Sequence, residues 1–282
     1  MIAAKKNVDL GRASKVNTLK PFPPAAAKLI ELISRETADY RDVSRLLAAD
    51  AAFTSQVLRV ANSALLGARR EIKSVVQALS LMGVDRLRSL VVTVAVNYYA
   101  DHGNKEPLRR AWRHNLATGL WCQALAERCN VSKPMGYTAG MLHDIGRIAL
   151  LMVFPDDYAA LIKNVAGGMD KLEAERKLCD ADHCQIGQHL ADSWNFPEAL
   201  VDVIAHHHDS ITRETPRLRQ LVQASCAAAR ASGFAAVETD PKWEPEKILD
   251  LLPDRNDGLH ERCDELLEKI AWKVNEIECS LL

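Results

Sequence analysis

Apolar residues recur along this chain at three- and four-residue intervals, separated by short polar or glycine-containing stretches. Ala26, Leu29, Ile30 and Ile33 predict a helix over Ala25 to Ser34, entered through the stiff Pro21-Phe22-Pro23-Pro24. Val43, Leu46 and Leu47 predict a second over Tyr40 to Ala49. Phe53, Val57, Leu58 and Val60 predict a third after Asp50. Leu66 to Arg70 reads as a loop, with Gly67 as the helix stop. Ser74 stands where it can cap Val75 to Met82, and Gly83 separates that helix from a long apolar one running from Asp85 to Tyr99.

The second half continues in the same period. Leu108 to Cys129 carries Trp112, His114, Leu116, Leu120, Trp121 and Leu125. Pro134 precedes a helix that delivers His143 and Asp144. Asp156 to Val165 ends at Gly167-Gly168, and Leu172 to Cys179 leads into Asp182-His183. Glu198 to His206 and Arg217 to Arg230 are further helices, and Ser232-Gly233-Phe234 opens a looser stretch. Cys263, Leu267, Ile270, Val274, Ile277 and Leu281 form a short a/d seam, read as a docking helix in preference to a coiled-coil homodimer contact.

No stretch alternates with period two for long enough to make a strand, so the expectation is all-α. The chain divides into a loose segment 1–20, an N-terminal helical subdomain 21–103, a second helical bundle 104–232, and a loop with a C-terminal amphipathic helix 233–282. Asp101 to Lys105 marks the internal boundary.

Composition narrows the function classes. The 282 residues are 48% hydrophobic, enough for a substantial core. Lys plus Arg (36) nearly balance Asp plus Glu (37), which argues against nucleic acid as the partner. The apolar run Leu90 to Val96 is far short of the ~20 residues a membrane span needs. The basic start (Lys5, Lys6, Arg12, Lys15) lacks the apolar core of a secretory signal, and seven scattered cysteines suit reduced thiols, so a cytoplasmic location is expected. No receiver domain is recognisable, so any phosphorelay input is expected in trans.

The chemistry concentrates in histidines. His143-Asp144 sits between apolar runs, and an adjacent imidazole and carboxylate suit a divalent metal. Alone, the pair reads equally as a capping Asp beside a buried His. His114, His183, His206, His207 and His208 also sit in the second half, near other metal-capable side chains. Cys179 and Cys184 are read as core thiols, the tryptophans as core, and Arg69, Arg70, Arg86 and Arg88 as a solvated face.

Taken in order, Trp112-Arg113-His114, Leu142-His143-Asp144-Ile145-Gly146, Asp182-His183 with Gly187, Trp194-Asn195-Phe196-Pro197 and His207-His208-Asp209 resemble the HD superfamily, specifically its HDOD branch of bacterial signalling proteins. Pro21 to Pro24, Ala61-Asn62-Ser63-Ala64, and Ile72 to Leu79 with Leu81-Met82-Gly83 are similar to that family's N-terminal half. The resemblance covers residues 20–232.

The resemblance implies a metal site. Catalytic HD relatives hydrolyse phosphomonoesters or phosphodiesters with a metal that activates water, held by one His, a His-Asp pair and a distant Asp. By motif, His114, His143 and Asp144 match those ligands, and His183, His207 and His208 match the extra histidines of HD-GYP phosphodiesterases. Ser225 stands where the distant Asp belongs, and the Gly-Tyr-Pro motif is absent. The expectation is therefore a non-catalytic regulatory module acting through ligands or protein partners, with a remnant site for Fe, Mn or Zn. The alternative is a metal-dependent phosphohydrolase, with Asp209 as the substitute for the missing carboxylate.

Overall fold

A computed structural model describes residues 10–33, 40–62, 71–100, 106–165, 170–236, 244, 248, 251–252 and 263–281. Among them there is no strand, and the protein is all-α, with two packed helical groups and a C-terminal helix. The first group comprises α1 (Pro24–Ile33), α2 (Tyr40–Ala48), α3 (Ala51–Ala61), α4 (Val75–Met82) and α5 (Val84–Ala100). The second comprises α6 (Glu106–Leu125), α7 (Lys133–Leu142), α8 (Ile145–Val153), α9 (Pro155–Val165), α10 (Lys171–Cys179), α11 (His183–Ser193), α12 (Glu198–His206) and α13 (Arg217–Ala231). Helix α14 (Cys263–Leu281) closes the chain. Gly11–Thr18 forms a 3-10 helix, and another, Ala126–Cys129, tightens the end of α6.

Local chemistry accounts for several of these boundaries. The Asp50 carboxylate accepts a 3.0 Å hydrogen bond from the Phe53 amide, and the Ser74 hydroxyl accepts from the Gln77 amide at 3.2 Å. Pro134 lies in the first turn of α7, where its missing N–H costs nothing, so it opens the helix instead of preceding it. The expected boundary at Asp101 to Lys105 and the loops at 66–70 and 167–168 lie outside the described residues.

Helix α5 joins the two groups. It packs on α1, α3 and α4 on one side and on α6, α7 and α8 on the other, and the buried apolar side chains form a continuous cluster through both. A second link is aromatic. Phe22, from the proline-rich entry, stacks on Trp194 (centroids 5.0 Å apart) and meets Phe196 edge-on at 5.6 Å, while Tyr99 meets Trp194 at 5.1 Å. The seam of α14 buries Cys263, Ile270, Val274, Ile277 and Leu281 within the chain, against α3 and α6. Its Glu278 accepts from Arg109 Nε at 2.6 Å and from Arg113, and Arg59 of α3 donates to the Leu281 carbonyl at 3.1 Å.

Two glycine pairs set how closely the helices approach. A Cβ on Gly140 of α7 would lie 2.7 Å from Gly119 Cα of α6 and 2.9 Å from Cys122 Sγ. One on Gly146 of α8 would overlap the His183 carbonyl oxygen and stand 2.6 Å from the Gly187 nitrogen. These contacts bring the carriers of His114, His143 and His183 together.

Candidate functional site

His143 and Asp144 occupy the junction of two helices instead of one helix interior. His143 stands at the C-cap position of α7 and Asp144 at the N-cap position of α8, where its carboxylate makes no capping hydrogen bond. A corner of this kind turns both side chains to the same side, toward α6, α11 and α13. His114 comes from mid-α6. His183 is the first residue of α11, fixed by a capping box in which Asp182 accepts from the Gln185 amide and Gln185 accepts from the Asp182 amide. His207 and His208 follow the end of α12.

The six residues nominated by motif come together. Their rings run His114–His143 (5.2 Å between centroids), His143–His207 (5.0 Å), His207–His183 (5.3 Å) and His183–His208 (5.0 Å). His114, His143, Asp144, His183 and His207 are buried, and His208 sits at the rim with its Nε2 3.1 Å from that of His183. His206 points away and pairs with Asp209 at 3.0 Å. Because Asp209 is exposed and engaged there, it does not take the place of the missing carboxylate. Ser225 is buried on α13, where its hydroxyl faces Cys122.

Three participants were not anticipated from the sequence. Arg147, one turn into α8, is buried among the ligands. Its Nε donates to Asp144 Oδ2 at 2.6 Å, and its terminal nitrogens reach Tyr158 Oη (3.1 Å), Glu175 Oε1 (3.4 Å) and His183 Nε2 (3.2 Å). Glu175 of α10 is the second, accepting from the Tyr158 hydroxyl, from the His183 amide at 2.8 Å and from His183 Nδ1 at 2.6 Å. Cys226 is the third, with Sγ 3.5 Å from His114 Nε2. The signal for Arg147 was its i+3 spacing from Asp144 on an otherwise apolar helix.

The electrostatics divide the pocket in two. Burial opposes ionisation of Asp144, but Arg147 beside it, then His183 and His143, hold its carboxyl well below the usual range. Burial and Arg147 both oppose a charge on His183. Glu175, with Cys184 and Asp144, outweighs them and moves it up to about 10. Burial and the neighbouring His143 push His114 down to about 3, and burial likewise lowers His143. Burial pushes the Cys226 thiol up to about 11. One end of the pocket is thus a network of Arg147, Asp144, Glu175 and His183, and the other holds His114, His143 and Cys226.

The donor set fits a metal. His114 Nδ1 is 2.8 Å from the Phe234 carbonyl and His143 Nδ1 is 2.7 Å from the Gly140 carbonyl, so each ring donates from Nδ1 and leaves the Nε2 lone pair free to coordinate. His143 Nε2 and Asp144 Oδ1 are buried without a hydrogen-bond partner among the described residues. Among the described residues two groups have metal-ligand spacing, His183–Cys184–His207–His208 and His114–His143–Cys226, each with one donor atom per residue inside 4.8 Å. No helix among the described residues is long and apolar enough to cross a membrane.

Comparison with known proteins bears on the family and the fold. The HDOD domain family profile matches residues 19–210. An uncharacterised Treponema pallidum (strain Nichols) protein is 24% identical over 251 residues, 84% of this chain and 47% of its own length, so this chain spans about half of that relative. A proposed phosphohydrolase from Shewanella amazonensis SB2B has 26% identity and a TM-score of 0.70, covering 96% of this chain and 99% of the other. An HDOD domain protein of unknown function from Geobacter sulfurreducens has 21% identity and a TM-score of 0.69, covering 96% and 97%. A proposed signal transduction protein from Marinobacter aquaeolei VT8 has 20% identity and a TM-score of 0.75, covering 95% and 61%.

Proposed function

We propose, from the premise that this chain belongs to the HDOD family, that it is a non-catalytic regulatory module of bacterial signalling, in which occupancy of the histidine pocket biases a contact with a protein partner. The observation that carries this reading is Arg147. Its guanidinium lies among the ligands an HD hydrolase would give to metal and substrate, and it holds Asp144 Oδ2 at 2.6 Å. A cation is thereby already built in beside the carboxylate. With serine at position 225 and Asp209 turned outward, no second carboxylate joins Asp144 on the α13 side.

The metal-dependent phosphohydrolase is the second reading. It is favoured by the buried His143 Nε2, which has no hydrogen-bond partner among the described residues, by Asp144 Oδ1 facing His183 Nε2 at 3.3 Å, and by the likeness to the proposed phosphohydrolase from Shewanella. In that case His114, His143, Asp144, His183, His207 and His208 would hold Fe, Mn or Zn, and the metal would activate water and offset phosphoryl charge. The decisive assay uses full-length protein loaded separately with Mn, Fe and Zn, a panel of phosphomonoester and cyclic dinucleotide substrates, and the His143→Ala variant as baseline. The regulatory reading expects no turnover above that baseline. Turnover that disappears in His143→Ala overturns it.

A further inference from the structure

We propose that His114, His143 and Cys226 form a site for one thiophilic divalent cation, zinc in class, in which the Cys226 sulfur supplies the anionic ligand that no carboxylate on α13 provides. The inference rests on reading the pocket as a ligand-responsive site, and sharpens which ligand it takes.

The geometry is that of three converging donors. Both imidazoles spend Nδ1 on backbone carbonyls, Phe234 for His114 and Gly140 for His143, so both present Nε2 inward. The Cys226 sulfur is 3.5 Å from His114 Nε2. Tetrahedral zinc, with bonds of ~2.0–2.1 Å to nitrogen and ~2.3 Å to sulfur, separates those two ligand atoms by about 3.5 Å. His143 is only 1% exposed, its Nε2 has no hydrogen-bond partner among the described residues, and the residue belongs to the same 4.8 Å group as His114 and Cys226. An unpartnered lone pair in that position is costly unless a cation accepts it. Two nitrogens and a sulfur leave a fourth position open, and this donor set selects zinc or cobalt over magnesium or calcium.

The neighbouring group is less suited. Cys184 Sγ stands 3.9 Å from His207 Nδ1, but that nitrogen is committed to the Ile204 carbonyl at 3.0 Å, so the sulfur faces the wrong edge of the ring. The remaining nitrogens of His183, His207 and His208 converge, yet Arg147 lies 3.2 Å from His183 Nε2, and a second cation there would meet the guanidinium directly.

The experiment is a zinc and cobalt titration of the full chain. The expected result is one zinc per chain by elemental analysis after dialysis, and a thiolate-to-cobalt charge-transfer band in the near ultraviolet. Cys226→Ser should abolish the band and weaken zinc binding by more than about tenfold, since even outer-shell losses cost that much, while Cys184→Ser keeps both. Wild-type protein supplies a check that needs no variant to fold. Zinc should protect Cys226 from alkylation while the exposed Cys279 is modified at an unchanged rate. A band that survives in Cys226→Ser, equal alkylation of Cys226 with and without zinc, or no zinc uptake would each overturn the proposal. None of these outcomes alters the turnover comparison, so the two readings fail separately.

Discussion

Arg147 and Asp144 lie three residues apart at the start of α8, both at most 5% exposed, and are joined by a 2.6 Å charge-assisted hydrogen bond. The same guanidinium reaches Tyr158, Glu175 and His183, so one side chain balances the two buried carboxylates of the pocket.

Removing that balance should be expensive. Arg147→Met leaves the buried Asp144 without the guanidinium that holds its Oδ2, and breaking a buried pair from one side costs roughly 3–5 kcal/mol. Urea unfolding should show a loss of that size, with Arg147→Lys intermediate because it keeps the charge but not the fork. A loss of under about 1 kcal/mol for Arg147→Met would mean that the network contributes little to the fold.

Helix α14 supplies a pH test well away from the histidines. Burial opposes ionisation of Glu278, but the hydrogen bond from Arg109 and the charge of Arg113 outweigh it and lower the carboxyl below its usual 4.5. A carboxyl depressed in the folded state contributes stability that is fully present above the unfolded value and is lost as pH falls through the folded one. The stability difference between wild type and Glu278→Gln should therefore be constant from neutral pH to about pH 5 and shrink below about pH 4. Denaturant titrations across that range measure it. A difference that grows on acidification would reverse the sign.

The α6–α7 contact predicts a steric effect on the site. Alanine at Gly140 forces its Cβ to 2.7 Å from Gly119 Cα, and backbone cannot swing aside, so the helices must separate. A cost of about 1–3 kcal/mol is expected, with weaker zinc uptake because His114 and His143 ride on the two helices. Gly83→Ala is the contrasting case. Its Cβ meets nothing within 4 Å, so only the backbone, at φ +79° and ψ 167°, is strained, at about 1–3 kcal/mol, with zinc uptake unchanged.

Much of this was legible in the sequence, and the parts that were not have physical reasons. Helix positions followed from periodicity, and Asp50 and Ser74 were recognisable caps because capping needs only local spacing. Asn62 was only part of a motif, and its role is long-range: its side-chain amide donates to the Ile72 carbonyl and accepts from the Ile72 amide. The motif histidines converged as the family resemblance implied. Ser225, named for the position of the distant Asp, is followed on α13 by Cys226, which the sequence did not single out. One residue on a helix is a rotation of about 100°, so Cys226 meets His114 while Ser225 turns to Cys122. Arg147 offered only its i+3 spacing from Asp144, since a single charge in an apolar run gives no periodic signal.

The start of α11 should be sensitive to its cap. Asp182→Ala removes a hydrogen bond to the Gln185 amide and the ion pair with Arg176, and should cost about 1 kcal/mol. Asp182→Asn keeps the cap and should lose less. Amide hydrogen exchange in the first turn of α11 should report the fraying that frees His183.

The Gly146–Gly187 contact has a consequence for precision. Where two helices meet through side chains, their separation can drift as rotamers change, and substitutions elsewhere can restore it. Here main chain rests on main chain, so the gap between the corner that holds Asp144 and the turn that holds His183 is fixed by atomic radii. The contact works as a mechanical stop with almost no tolerance. The pocket can exchange what fills it, but it cannot trade away the distance between its two central residues.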